Sequence, residues 1–165
     1  MKSGFLLIKL GFSVFRGFGA VSIDSKGRLA VPSRFRERLT SLAGGCLVQT
    51  LSPLDRTIWL YPVTEWELIE NKLAVLSDFD KQSRRAKQMM RGYATDCQLD
   101  TQGRILLSQE LRDYAGIKRQ AVILGQGNKF EIWDQASWQE QRDSWLDQLG
   151  TDDSVPSDAL RPLSL

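Results

Sequence analysis

Six cations fall within 23 residues: Arg16, Lys26, Arg28, Arg34, Arg36 and Arg38. Arginine presents a planar fork of donors that suits phosphate oxygens and the guanine edge, and lysine is a compact charge for phosphate. Their spacing says more than their number. Lys26 and Arg28 flank Gly27 in Asp24-Ser25-Lys26-Gly27-Arg28, where Asp24 can bond backbone two residues on and Gly27 is free to take positive φ. Such a turn projects two cations from a rigid hairpin, and a two-stranded β-ribbon fits the major groove of DNA. Arg34 and Arg38 lie four apart, on one face of a helix built there. A second reading stays open: Arg28 can pair with Asp24, and Arg104 with Asp100, to staple the turn. Both readings can hold for different guanidinium atoms.

The wider charge pattern is uneven. The net charge is +2, but residues 1–50 carry +6, residues 51–92 carry +1 and residues 93–165 carry −5. One face is thereby expected to meet a polyanion, with solvated surface charge as the alternative. Enzyme chemistry has little to work with. The chain has no histidine, which removes Ser-His-Asp triads, Cys-His dyads and histidine-ligated zinc together. Its serines and cysteines lack a base, and its carboxylates show no ligand pattern for Mg²⁺ or Ca²⁺. No cofactor, metal or small-molecule substrate is expected. Cys46 and Cys97 form no CxxC pair and read as small buried hydrophobes in a reducing compartment. Gly125-Gln126-Gly127 lacks the third glycine and the following helix of a dinucleotide motif, so it reads as a hairpin turn. Trp59, Trp66, Trp133, Trp138 and Trp145 read as core rather than as a stacking platform.

A repeat positions these residues. The chain has 165 residues, 42% of them apolar, which bounds it to one domain or two small ones. Asp24-Ser25-Lys26-Gly27-Arg28-Leu29 returns as Asp100-Thr101-Gln102-Gly103-Arg104-Ile105 at an offset of 76. Phe15-Arg16-Gly17-Phe18 returns as Met90-Arg91-Gly92-Tyr93 at 75, and Leu60 through Trp66 aligns with Ile132 through Trp138 at 72. Two copies, 15–79 and 90–149, are expected to share one core, joined by a basic linker over 80–89 that is either the end of the first repeat's helix or a helical linker. Residues 1–14 read as an extension outside the fold, and residues 150–165 as a flexible tail. No stretch approaches the roughly 20 apolar residues of a membrane span.

Each copy predicts the same elements. Strands are expected over 18–23 and 93–99, then the Asp-x-x-Gly-Arg turn, then short strands over 28–31 and 104–107. Ser33 and Ser108 are candidate caps for short helices that stop near Gly44-Gly45 and Gly116. Hairpins follow, 46–51 with 57–61 and 120–124 with 129–133. A longer helix closes each copy, with capping boxes at Thr64-Glu65-Trp66-Glu67 and Ser137-Trp138-Gln139-Glu140. Trp66, Ile69, Leu73 and Leu76 form one apolar stripe, and Trp138, Trp145 and Leu149 another.

The string Asp24-Ser25-Lys26-Gly27-Arg28-Leu29-Ala30-Val31-Pro32-Ser33-Arg34-Phe35-Arg36 resembles the MraZ family of bacterial transcription regulators, built from two SpoVT-AbrB repeats. The second Asp-x-x-Gly-Arg and the stretch Leu60-Tyr61-Pro62-Val63-Thr64-Glu65-Trp66 extend the resemblance from Phe15 to about Leu149. Family members usually begin at a Met-Phe-Arg-Gly, matched here by Val14-Phe15-Arg16-Gly17; a GTG start codon at position 14 is the expectation, with residues 1–13 an artefact.

The resemblance implies an α+β, β-rich fold: a swapped-hairpin, AbrB-like β-barrel formed by the two repeats, with peripheral helices. It implies a cytoplasmic, nucleoid-associated repressor that assembles into rings. The rings would bind direct repeats in double-stranded promoter DNA and repress their own operon, a division and cell-wall gene cluster. By motif match Lys26 and Arg28 become DNA contacts, with Arg104 the equivalent of Arg28. Gln102 replaces Lys26, and Ser108 replaces Pro32, so the second repeat is less basic. Arg16, Arg34 and Arg36 join the DNA-binding set on charge and position; Asp24, Gly27, Asp100 and Gly103 form the turns. The alternative reading is a protein-interaction module acting through the acidic second repeat and the Trp-rich helices.

Overall fold

The computed structural model describes residues 14–149, together with 158 and 162. The expected N-terminal extension therefore lies outside the described residues apart from Val14, and so does the C-terminal tail apart from 158 and 162. The chain divides after Gln135 into two compact units. Among the described residues the first unit carries eight strands and four helices. In order these are β1 (Phe15–Ser22), β2 (Arg28–Ala30), α1 (Ser33–Ala43), β3 (Cys46–Leu51), β4 (Ile58–Pro62), α2 (Val63–Ala74), α3 (Lys81–Met90), β5 (Thr95–Gln98), β6 (Arg104–Leu106), α4 (Gln109–Ala115), β7 (Gln120–Gly127) and β8 (Phe130–Asp134). The second unit is built on α5 (Gln135–Leu149).

Six strands form one antiparallel sheet in the order β1-β7-β8-β4-β3-β5, and β2 and β6 form a separate ribbon. Only β3–β4 and β7–β8 are hairpins within a repeat. The remaining ladders join one repeat to the other: β1 to β7, β5 to β3, β4 to β8 and β2 to β6. The fold is mixed α+β, with an open sheet beside a ribbon. A single bridge, Ile23 to Leu29, ties the end of β1 to β2.

The registers carry a local two-fold. In the ribbon Arg28 faces Leu106, Leu29 faces Ile105 and Ala30 faces Arg104, so a shift of 76 maps the pairing onto itself. Trp59 opposite Glu131 does the same in the β4–β8 ladder at a shift of 72. Alternation along a strand then sorts the side chains. Leu29 and Ile105 point inward and are buried, while Arg28, Ala30, Arg104 and Leu106 face out. The core beneath joins both repeats: Val31, Phe35 and Leu39 pack with Leu107, Leu111 and Ile123. Phe130 sits 4.4 Å from Phe15 and 4.8 Å from Phe35, ring centre to ring centre. A smaller cluster of Val48, Tyr61, Trp66, Leu73 and Met90 seats α2 and α3.

Several local expectations shift. β1 starts at Phe15 rather than 18, and β7 runs on through Gly127, so Gly125 and Gln126 are strand residues paired with Gly17 and Arg16. Pro32 caps α1 and leaves Ser33 as its first helical residue, whereas Ser108 does cap α4, accepting from the Leu111 amide at 3.3 Å. The Thr64 capping box is not formed. Pro62 takes the cap position two residues earlier, α2 starts at Val63, and Glu65 is buried. Likewise α5 starts at Gln135, which places Ser137 inside the helix. Leu76 lies past the end of α2. The basic linker is a helix of its own, α3, capped by the Asp80 side chain. Both cysteines are half-buried and free. Trp66 and Trp133 are core, Trp59 and Trp138 are half-buried, and Trp145 is exposed, stacked edge-on against Trp138. Among the described residues no helix is long and apolar enough to cross a membrane.

Candidate nucleic-acid interface

The two Asp-x-x-Gly-Arg turns fold by the same local chemistry. Asp24 Oδ1 accepts from the amides of Lys26 and Arg28, both at 2.9 Å, and Oδ2 accepts from Arg28 Nε at 2.7 Å. Asp100 repeats this with the amides of Gln102 at 2.8 Å and Arg104 at 2.9 Å, and with Arg104 Nε at 2.9 Å. The Gly27 amide donates to Asp24 O and the Gly103 amide to Asp100 O, both at 3.0 Å. Gly27 takes φ +84 and Gly103 +73, a region that any residue with a Cβ enters only at a cost. The backbone N–H of Arg28, with its guanidinium and the Lys26 amide, holds the Asp24 carboxyl below its ordinary pKa; Arg104 and Gln102 do the same for Asp100.

Ribbon pairing then sets each turn against the far end of the other repeat's strand. Val31 N donates to Gly103 O at 2.9 Å, and Leu107 N donates to Gly27 O at 3.0 Å. Arg104 Nη1 lies 3.9 Å from Asp24 Oδ2, so the second repeat's arginine reaches the first repeat's carboxylate. The staple reading and the contact reading use different atoms. Nε of Arg28 and of Arg104 is held by aspartate, which fixes each guanidinium plane. The Nη groups of Arg28 have no protein partner among the described residues, nor has the exposed Lys26 ammonium. The ribbon is fastened from below by Gln49, which is buried; its Nε2 donates to Leu106 O at 2.8 Å and its Oε1 accepts from Ser108 N at 3.0 Å.

The other expected residues divide. Arg34 donates to Phe18 O and Arg38 to Val14 O at 2.8 Å, so this face of α1 is pinned along β1. Arg38 also lies over the Phe15 ring. Arg16 is exposed on β1, opposite Gln126. Arg36 stands apart from these. Its Nε donates to Val31 O at 2.5 Å, and its guanidinium lies across Gly103, in the other repeat's turn. The equivalent residue, Arg112, has Nε on Leu107 O at 3.3 Å and its guanidinium across Gly27. Arg112 is absent from the sequence-based set. The signal was the repeat itself, since 76 residues separate it from Arg36 as they separate Arg28 from Arg104.

The result is a stiff ribbon whose outward face and flanks hold Lys26, Arg28, Arg104, Arg36 and Arg112. Pre-set guanidinium planes and an unpaired ammonium can bind phosphate oxygens and base edges with little further ordering. No group of three or more potential metal ligands occurs among the described residues.

Comparison with known proteins agrees with the two-copy arrangement of these turns. The model of the MraZ protein family matches residues 14–89 and again 90–152. A protein of Thioalkalivibrio sulfidiphilus (strain HL-EbGR7), named transcriptional regulator MraZ, is 45% identical over 152 residues, covering 92% of this chain and 100% of that one. Proteins of the same name from Halorhodospira halophila (strain DSM 244 / SL1) and Enterobacter sp. (strain 638) are each 42% identical over the same shares. With both halves of the chain matching one family model, and relatives alike along their whole length, this protein belongs to the MraZ family.

Proposed function

We propose that this chain is a transcriptional regulator that binds double-stranded promoter DNA through the β2–β6 ribbon, with Lys26, Arg28 and Arg104 as the main contacts. One observation carries the reading: two stapled, cation-bearing turns bracket a rigid ribbon, one at each end, with Arg28 and Arg104 on its outward face. Arg36 flanks them, and Arg16 and Arg34 supply further positive charge along β1. Neutralised phosphates release counterions, so binding is steeply salt-dependent. Aspartate-oriented Arg28 is placed to read a guanine edge, worth roughly 1–3 kcal/mol per bidentate pair.

The repeats over 15–79 and 90–149, joined through 80–89, act as one swapped-hairpin barrel unit. The four strand ladders that cross between repeats support that reading. One unit offers few contacts, so copies assemble into a ring on direct repeats, where effective concentration raises affinity. Apolar surface at Trp145, Leu146 and Leu149 supports self-association. The regulated promoter is its own, ahead of a division and cell-wall gene cluster, and the protein works in the cytoplasm on the nucleoid.

The test is fluorescence anisotropy against the region upstream of its own gene, titrated in salt, with wild type, Arg28→Ala and Lys26→Ala. Selective binding lost in Arg28→Ala and weakened in Lys26→Ala is expected. Equal affinity of the folded wild type for that region and for random DNA overturns the reading.

A further inference from the structure

Each turn glycine lies under an arginine from the opposite repeat. A Cβ on Gly27 would stand 2.7 Å from Arg112 Cζ, and one on Gly103 would run into the Arg36 side chain. Positive φ and this close cover by a guanidinium therefore act together at each glycine. The arginines are not loosely draped. Arg112 Nε is held by Leu107 O, and the amide of Leu107 donates to Gly27 O. The path is short and closed: turn carbonyl, strand peptide, guanidinium, and back onto the turn glycine. Arg36 closes the same path through Val31 onto Gly103. Arg112 is tied further, since its Nη2 donates to Gln109 Oε1 at 2.7 Å and Gln109 Nε2 donates to Asp113 Oδ1 at 2.7 Å. Among the described residues the Nη groups of Arg36 make no such bond.

We infer that Arg112 is a positioning residue for DNA binding: from the second repeat it clamps the first repeat's turn and so holds Lys26 and Arg28 in their binding geometry. Arg36 clamps the second turn in return. The second repeat, though it has glutamine at 102, is needed by the lysine-bearing turn. The turn bearing Gln102 is meanwhile supplied with a cation by Arg36. The inference rests on the DNA-binding reading for its consequence but not for its geometry.

The experiment is amide hydrogen exchange on the full-length free protein, paired with operator affinity across salt, for Arg112→Lys and Arg36→Lys. Lysine keeps the charge and loses the planar fork. Arg112→Lys is expected to speed exchange at Lys26, Gly27 and Arg28 by about fivefold or more and leave Gln102, Gly103 and Arg104 unchanged. Arg36→Lys is expected to do the reverse. Operator affinity falls about fivefold in Arg112→Lys with the salt slope unchanged, because no charge is removed. Gln109→Ala, which frees Arg112 Nη2 from an exposed position, gives a smaller change confined to the same turn and serves if Arg112→Lys folds poorly. Unchanged exchange in the 24–28 turn, or an equal rise in both turns, overturns the clamp. A wild type without promoter preference overturns the DNA-binding reading instead, and the exchange result stands apart from it.

Discussion

Replacing Gln102 by lysine should add a phosphate contact, and the size of the gain can be worked from the ribbon's symmetry. The shift of 76 that maps Arg28 onto Arg104 maps Lys26 onto Gln102. Both residues donate a backbone amide to their own aspartate, at 2.9 and 2.8 Å, and both side chains are exposed. A lysine at 102 therefore meets an environment already proven at 26: an aspartate-paired arginine two residues on and a clamping arginine over the glycine. The fold should absorb it within about 0.5 kcal/mol, as for other exposed substitutions. Each phosphate neutralised on B-DNA contributes roughly 0.9 to the slope of log affinity against log salt. Gln102→Lys should steepen the slope by about 0.9 per engaged subunit, and Lys26→Gln should flatten it by as much. Between 50 and 200 mM salt one such contact changes the loss of affinity by about 3.5-fold. Anisotropy at four or five salt concentrations resolves that, with thermal melts as the control for folding. If Lys26→Gln flattens the slope and Gln102→Lys leaves it alone, the second turn does not approach the phosphates, and the argument from symmetry is wrong.

Three further outcomes follow from the packing and electrostatics. Leu29→Ala empties a fully buried position on the local two-fold opposite Ile105, and should cost about 2–5 kcal/mol in urea unfolding; a cost under 1 kcal/mol would mean the ribbon is not anchored through its centre. Asp24 and Asp100 have folded pKa values below the unfolded one, so their stabilisation is complete above about pH 4 and is lost as pH falls through the folded values. Amide exchange in both turns should therefore stay flat, relative to its intrinsic rate, from pH 7 down to about 4 and accelerate only below, and Asp24→Asn should abolish that transition in the first turn alone. Burial pushes the Cys97 thiol up to about 12, so alkylation at pH 8 should be slow in the folded protein and fast in denaturant. Rapid modification of native Cys97 itself, located by peptide mapping apart from Cys46, would show that β5 opens readily from β3.

The turns and the repeat are legible in the residues alone. Asp-x-x-Gly-Arg encodes its own staple, because aspartate, two amides and an Nε lie within five residues, and no distant partner is needed to close them. Cap and stop residues also located the short helices, which end at Gly44 with φ +60 and Gly116 with φ +66. Caps were less legible. Thr64 and Ser137 have the right residue types, but helix starts are set by where the preceding strand lets go, and α2 and α5 begin earlier than the boxes. Strand pairing, by contrast, is settled by long-range packing. A short repeat cannot bury both edges of its own strands, so β1, β2, β4 and β5 find partners in the other repeat, in ladders that span 70 residues or more for all but β3–β5. That exchange is what places Arg36 over Gly103 and Arg112 over Gly27. No local pattern announces such a contact, because a guanidinium is guided to a glycine by the long-range register of the ribbon rather than by its neighbours in the chain.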